Sequence, residues 1–266
     1  MRYSDVCARL REAKNENPAR EAAILIEELC GDFSEERDYV SKELDDAIEK
    51  RCSGYPLQYI IGKWWFSRCE FYVSEDCLVP RPDTECAVEE AMKLLPKNAR
   101  FADLCTGSGC IAISLLDLRT DLSGVAVELY PKTLEIAKKN AVKNNVADRL
   151  SLVGGDVLMG QGLGEEKFSA IISNPPYIRT DVVDSLGGEV TYEPRVALDG
   201  GEDGMVFYRA IVEKYSKNLT PDGCFIFEIG YDQADDIAKV ARDNGFSCRI
   251  VKDLGSRDRV AILEKA

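Results

Sequence analysis

The 266-residue sequence contains no histidine. That absence excludes Ser-His-Asp and Cys-His triads, His-ligated metal and an imidazole general base, so proton transfer falls to other groups. No C-x-x-C pair occurs among the ten cysteines. Spread singly, several of them inside apolar runs, they read as reduced thiols packed like small hydrophobes, and no metal site is expected. A run of eighteen apolar residues is also missing, which excludes a helical membrane span. The opening MRYSDVCARLREAKN has no apolar stretch behind its basic residues. It does not read as a signal peptide, and a cytoplasmic protein is expected. Positive charge is scarce: 34 Lys and Arg stand against 47 Asp and Glu, a net charge of −13. The deficit is shared, with 11 basic and 17 acidic residues in 1–80 and 23 and 30 beyond. A Lys/Arg-rich surface for phosphates is therefore not expected, and a nucleic-acid partner loses ground.

What is present is a globular composition, 45% hydrophobic and 30% charged, long enough for one large or two modest domains. The first fifty residues read as helices. Asn17 can cap a helix with Pro18 at its first position, Ala22, Leu25, Ile26 and Leu29 recur at helical spacing, and Gly31 supplies the stop. Tyr39, Val40, Leu44, Ala47 and Ile48 are read as one side of a further helix ending near Gly54. Residues 55–80 turn aromatic and β-branched and suit a short hairpin joining two domains.

From about Arg100, strands and helices alternate to the end. Strands are expected at Phe101–Cys105, Val125–Leu129, Ser151–Val153, Ala170–Ser173, Cys224–Ile229, Cys248–Val251 and Arg259–Leu263. Helices are expected at Cys110–Leu118, Pro131–Asn144, Met205–Asn218 and Asp232–Asn244. The alternation predicts an α/β fold with a seven-stranded, mostly parallel sheet covered on both faces, whose last strand returns antiparallel in a hairpin. The long connection Ile178–Gly204 is expected to be functional.

The candidate chemistry lies at the ends of the strands. The first runs into Asp103-Leu104-Cys105-Thr106-Gly107-Ser108-Gly109 and directly into a helix, a turn whose glycines let the backbone approach a ligand and whose helix offers free amides. Glu128 ends the second strand, where a carboxylate can accept both hydroxyls of a ribose, and Asp156 follows the third, where it can accept the amine of an adenine. Together these predict a nucleoside-bearing cofactor at the carboxyl ends of parallel strands. The fourth strand ends in Asn174-Pro175-Pro176-Tyr177. Two prolines fix the backbone and remove two amide donors, which leaves carbonyls free. Asn174 and such a carbonyl can hold an –NH2 group while the Tyr177 ring stacks on a planar one.

The run N-P-P-Y after the 103–109 turn resembles the class I S-adenosylmethionine-dependent methyltransferases that act on planar amines. More narrowly, the chain resembles the release-factor glutamine methyltransferases, the HemK-like family. The supporting segments are Pro56–Gly62, Val79-Pro80-Arg81-Pro82-Asp83-Thr84-Glu85, Glu193–Leu198, Gly200–Gly204, Glu228-Ile229-Gly230 with Gln233, and Asp258-Arg259-Val260. The resemblance implies a Rossmann-like methyltransferase domain over 76–266 and a small helical substrate-recognition domain with its linking hairpin over 1–75. It implies that Asp103 and Asn174 help to bind S-adenosylmethionine and that Cys105, Thr106, Gly107, Ser108 and Gly109 surround its methionine part. Glu128 would hold the ribose, Asp156 and Val157 the adenine, and Asn174, Pro175, Pro176 and Tyr177 the glutamine. Cys105 stands where the family usually has Gly, so its side chain should narrow the pocket, and Val157 replaces a larger aromatic.

The implied reaction methylates the amide nitrogen of the glutamine in the Gly-Gly-Gln motif of class I peptide-chain release factors. The partner is then a protein, with neither nucleic acid nor membrane required, and a monomer is expected. Rival readings are a glutamine methyltransferase of a ribosomal protein, an enzyme methylating adenine or guanine amines in DNA or RNA, and an inactive cofactor-binding scaffold.

Overall fold

The computed structural model describes residues 1–266. Helices α1 (Tyr3–Glu12), α2 (Pro18–Cys30) and α3 (Lys42–Cys52) enclose a core of eleven buried residues, among them Val6, Leu10, Leu25, Ile26, Leu44 and Ile48. Gly31 ends α2 in the left-handed conformation at φ +85°. The α3 helix begins later than its apolar pattern suggests. Ser41 is extended and accepts from the Leu44 amide at 3.2 Å, so the helix starts at Lys42. Tyr39 and Val40 therefore precede the helix; Tyr39 is buried, whereas Val40 is 98% exposed.

Residues 55–80 hold more than a hairpin. A single helical turn, α4 (Leu57–Ile61), precedes antiparallel β1 (Lys63–Phe66) and β2 (Cys69–Tyr72). Five residues are too few to show a helical period, and Gly62 at φ +74° stops the turn. Tyr59, Phe66, Cys69, Phe71 and Val73 are buried in the same core as Val88, Phe101, Ile113 and Leu115. The expected division at 75/76 thus falls beyond a hairpin whose inward side chains pack with the larger unit.

That unit opens with α5 (Glu85–Leu94), whose buried residues are the small Ala87, Val88 and Ala91 with the charged Glu90, and which gives a weak apolar stripe in sequence. Then β3 (Arg100–Leu104), α6 (Cys110–Leu118), β4 (Ser123–Glu128), α7 (Pro131–Lys143), β5 (Leu150–Gly154) and β6 (Phe168–Ser173) alternate. A short α8 (Thr180–Val183) lies in the long connection, followed by α9 (Val206–Tyr215), β7 (Leu219–Glu228), α10 (Ala234–Asp243), β8 (Phe246–Lys252) and β9 (Asp258–Lys265). The seven-stranded sheet has the order β5-β4-β3-β6-β7-β9-β8, with β9 antiparallel to both neighbours. Strand β7 starts five residues before the expected Cys224, because an irregular stretch through Pro221 and Gly223 separates the Phe168–Leu219 pair from Ala170–Cys224.

The chain leaves β3 toward β4 and β5, then returns to the other side of β3 as β6. That reversal is the place where open parallel sheets bind ligands, outside the carboxyl ends of the strands. The 178–204 connection is closed against this edge. Ile178 and Gly200 bond to the backbone of Leu198 and Ile178 at 2.9 and 2.8 Å, and a Cβ on Gly200 would lie 2.7 Å from Tyr177 Cα.

A chain beginning at Asp76 removes Phe66 and Phe71 from the large core, whereas one beginning at Tyr55 keeps them. Loss of buried aromatics costs about 3–5 kcal/mol each. The first is expected to lose cooperative thermal unfolding by circular dichroism and the second to retain it.

Candidate active site

The turn after β3 is built on three alternate positive-φ residues: Cys105 at +59°, Gly107 at +58° and Gly109 at +84°. At Gly109 the left-handed backbone disfavours any side chain and a Cβ would press on the Ile113 Cδ1 methyl at 2.8 Å, whereas the Cβ direction of Gly107 is open. Cys105 adopts left-handed backbone that disfavours a side chain, which is the physical reason a glycine suits this place. Its half-buried thiol lies beside Ser173, and desolvation raises its pKa, so the group stays neutral.

Asp103 does not reach the cleft that this turn borders. It is fully buried, its Oδ2 accepts from the Thr106 hydroxyl at 2.5 Å, and its Oδ1 has no partner. Burial pushes its pKa up to about 7. Asp103 shapes the turn from below, and Gly109 likewise lies behind the lining. Cys105, Thr106, Gly107, Ser108, Glu128, Asp156, Val157, Asn174 and Pro176 are brought together in one open-mouthed cleft with ≈ 930 Å³ of atom-free space.

Glu128 is 7% exposed and accepts one main-chain amide on each oxygen, Gly107 on Oε2 and Tyr130 on Oε1, both at 3.0 Å. Each oxygen keeps a lone pair, which suits the two hydroxyls of a ribose. Burial raises its pKa against these bonds. Asp156 spends Oδ1 on the Leu158 amide at 2.8 Å, and Val157 is buried beside it. The exposed flat surface at the mouth comes from a residue the sequence reading passed over: Tyr130, 41% exposed, two positions after Glu128.

Beyond Asn174 the cleft adjoins a second cavity bordered by Tyr177, Ile178, Arg81 and Glu228. Asn174 lines both spaces. Its Nδ2 donates to Thr84 Oγ1 at 3.2 Å, and no group of the chain donates to its Oδ1 or to the Pro175 carbonyl. Pro175 and Pro176 are buried. Tyr177 is held from behind: Gln233 Nε2 donates to its carbonyl at 3.0 Å, and its hydroxyl donates to Glu228 Oε1 at 3.4 Å.

Most of the family segments converge here, whereas Pro56–Gly62 contributes Leu57, Gln58 and Ile61 to a separate cavity against the helical unit. Thr84 touches Asn174, Arg81 pairs with the buried Glu193, and Arg259 reaches Asp83 at 3.1 Å and Asp253 at 3.3 Å. Their signal was their presence as motifs; which groups meet could not be read from spacing, since up to 176 positions separate Asp83 from Arg259. The arrangement pairs a cleft for a nucleoside-bearing molecule with a second pocket, joined at Asn174, whose side-chain oxygen is unclaimed; Pro175 is among the lining residues of neither.

The family described as Methyltransferase small domain matches residues 87–219, and that described as PrmC N-terminal domain matches residues 3–62. A release factor glutamine methyltransferase of Caulobacter vibrioides is 36% identical over 96% of this chain and 92% of its own length. One from Thermodesulfovibrio yellowstonii is 39% identical over 82% of this chain and 80% of its own. Among solved structures, a methyltransferase from Pyrococcus furiosus shares the fold with a TM-score of 0.56 at 20% identity, covering 74% of this chain and 88% of that one.

A carboxyl group whose pKa is raised by folding contributes stability that is present below the unfolded value and is lost as pH rises through the folded one. For Asp103 that window runs from about 4 to about 7. Asp103→Asn cannot titrate, so its stability relative to the parent is expected to improve by at least about 1.4 kcal/mol between pH 4 and pH 8. Urea unfolding of both proteins at the two pH values checks this.

Proposed function

The chain belongs to the family of release factor glutamine methyltransferases, and from that membership we propose how its own residues carry out methyl transfer to a release-factor glutamine. The acceptor is read as the amide nitrogen of the glutamine in the Gly-Gly-Gln motif of a class I factor. S-Adenosylmethionine, when bound, supplies an electrophilic methyl group on a sulfonium. The cleft fits it: Glu128 keeps two lone pairs for a ribose, the open Cβ direction of Gly107 leaves room for close approach, and Tyr130 offers a ring at the mouth.

An amide nitrogen is a weak nucleophile because its lone pair is delocalised into the carbonyl. The site must therefore hold the nitrogen and favour the form in which positive charge gathers on it. Asn174 Oδ1 and the Pro175 carbonyl would each accept one N–H of the glutamine, which leaves the lone pair facing the cofactor cleft. As the nitrogen gains charge, both acceptors bind it more strongly, so their contribution grows toward the transition state. Tyr177, braced by Gln233, walls the acceptor pocket. The observation that carries this reading is the position of Asn174, which borders both spaces with its oxygen unclaimed.

The test incubates the protein with S-adenosylmethionine and a purified class I release factor, with DNA and RNA in parallel, and maps added methyl by peptide mass spectrometry. A single methyl on the Gly-Gly-Gln glutamine is expected; methyl entering nucleic acid instead would overturn the substrate. Asn174→Ala should lower kcat by about 10²–10³ while cofactor affinity stays within a few fold. Tyr130→Ala should have the opposite profile, weakening S-adenosylmethionine binding by ~1 kcal/mol, about fivefold, with kcat little changed. Calorimetry and initial rates separate the two.

A further inference from the structure

The Asn174 amide has an accepting end and a donating end, and the reaction needs the oxygen toward the substrate. Its bond to Thr84 does not settle this alone, because a hydroxyl can serve either end of the amide. The direction depends on where the Thr84 proton goes. Thr84 is 1% exposed, and the Glu228 carboxylate at the end of β7 lies close enough for the Thr84 hydroxyl to hold its pKa down, although no hydrogen bond within 3.5 Å joins the two. Glu228 is 2% exposed; Oε1 takes the Tyr177 hydroxyl, and Oε2 is buried without a partner. A buried carboxylate oxygen left unpaired is costly, and the neighbouring hydroxyl is the group able to satisfy it.

We propose that Glu228 is a positioning residue for methyl transfer that acts through Thr84. Its carboxylate accepts a hydrogen bond from the Thr84 hydroxyl, Thr84 Oγ1 in turn accepts from Asn174 Nδ2, and Oδ1 is left to hold the glutamine amide. The opposite orientation would set Asn174 Oδ1 against a threonine lone pair and aim an –NH2 at the substrate's own –NH2. The proposal rests on the glutamine-methylating reading above.

The relay has a direction only while Glu228 is ionised. Burial pushes its pKa up to about 7 against Thr84, Arg259 and Tyr177, with Asp83 adding to the rise, and the Tyr208 and Cys110 side chains also face it. Once protonated, Glu228 can donate to Thr84, Thr84 can donate to Asn174 Oδ1, and the amide loses its bias. The kcat should therefore fall as pH drops through about 7.

The experiment compares full-length wild type, Thr84→Val, Thr84→Ser and Glu228→Gln with a purified release factor, measuring kcat across pH and S-adenosylhomocysteine affinity by calorimetry. Thr84→Val, which keeps the shape and loses the hydroxyl, should lower kcat about 10–100-fold with cofactor-product affinity within about threefold. Thr84→Ser should return to within about threefold of wild type. Glu228→Gln accepts from Thr84 but cannot titrate, so its acid limb should disappear. Wild-type turnover in Thr84→Val, a matching loss of cofactor-product affinity, or an unchanged acid limb in Glu228→Gln would each overturn the relay. If Thr84→Val does not fold, Thr84→Ser and the Glu228→Gln profile decide. A wild-type protein that leaves the factor unmodified would instead overturn the reading beneath it, so the two failures are distinct.

Discussion

The parallel pairing of β3 with β4 on one side and β6 on the other is the constraint on which the rest of the site depends. Leu104 stands opposite Val127 in one ladder and opposite Ser173 in the other. In a parallel sheet all carboxyl ends face one edge, so this register places the glycine turn, Glu128 and Asn174 within reach of one molecule. The Ser173 hydroxyl donates to the Leu104 carbonyl at 2.6 Å and ties two of those ends together where no ladder bond continues. The reversal of chain direction beside β3 leaves the gap that becomes the cleft.

Around this edge the chain carries polar groups that packing alone would not choose. Three of the four buried side-chain atoms without a partner are carboxylate oxygens, of Asp103, Glu193 and Glu228. The first underlies the cofactor turn, and the other two flank the acceptor pocket through Arg81 and Tyr177. Burying a carboxylate incompletely paired lowers stability, and such groups gather where function needs them. The stability given up here is offset by apolar cores of 29 and 23 buried residues in the larger unit.

The helical unit is fastened to the acceptor side. Arg51 of α3, 4% exposed, pairs with Glu21 at 2.6 Å and with Glu189 of the 178–204 connection. Tyr192 of the same connection packs edge-on to Tyr55 at 5.2 Å and donates to the Ser53 carbonyl. The connection that covers the acceptor pocket is thus braced from both units, which links any partner held by the helical unit to the place of reaction.

Much of this was legible in sequence because it depends on local chemistry. Alternating apolar runs and breaks gave seven strands and an antiparallel finish, since a buried parallel strand must be apolar along its length. Glycine and proline marked the cofactor turn and the N-P-P-Y exit because each imposes its own backbone. The misread elements were those with weak local signals: the single turn of α4, the small-residue face of α5, and the start of α3, where a serine cap outweighed two apolar neighbours. The sequence by itself determined which residues end strands and which carry carboxylates or amides. Only the tertiary structure decided that Asp103 lies beneath the cleft while Tyr130 borders it, and that Thr84 meets Asn174. The partners of Asn174 and of the Tyr177 hydroxyl lie more than fifty positions away in the chain, and no local pattern encodes a distance that only the folded sheet creates.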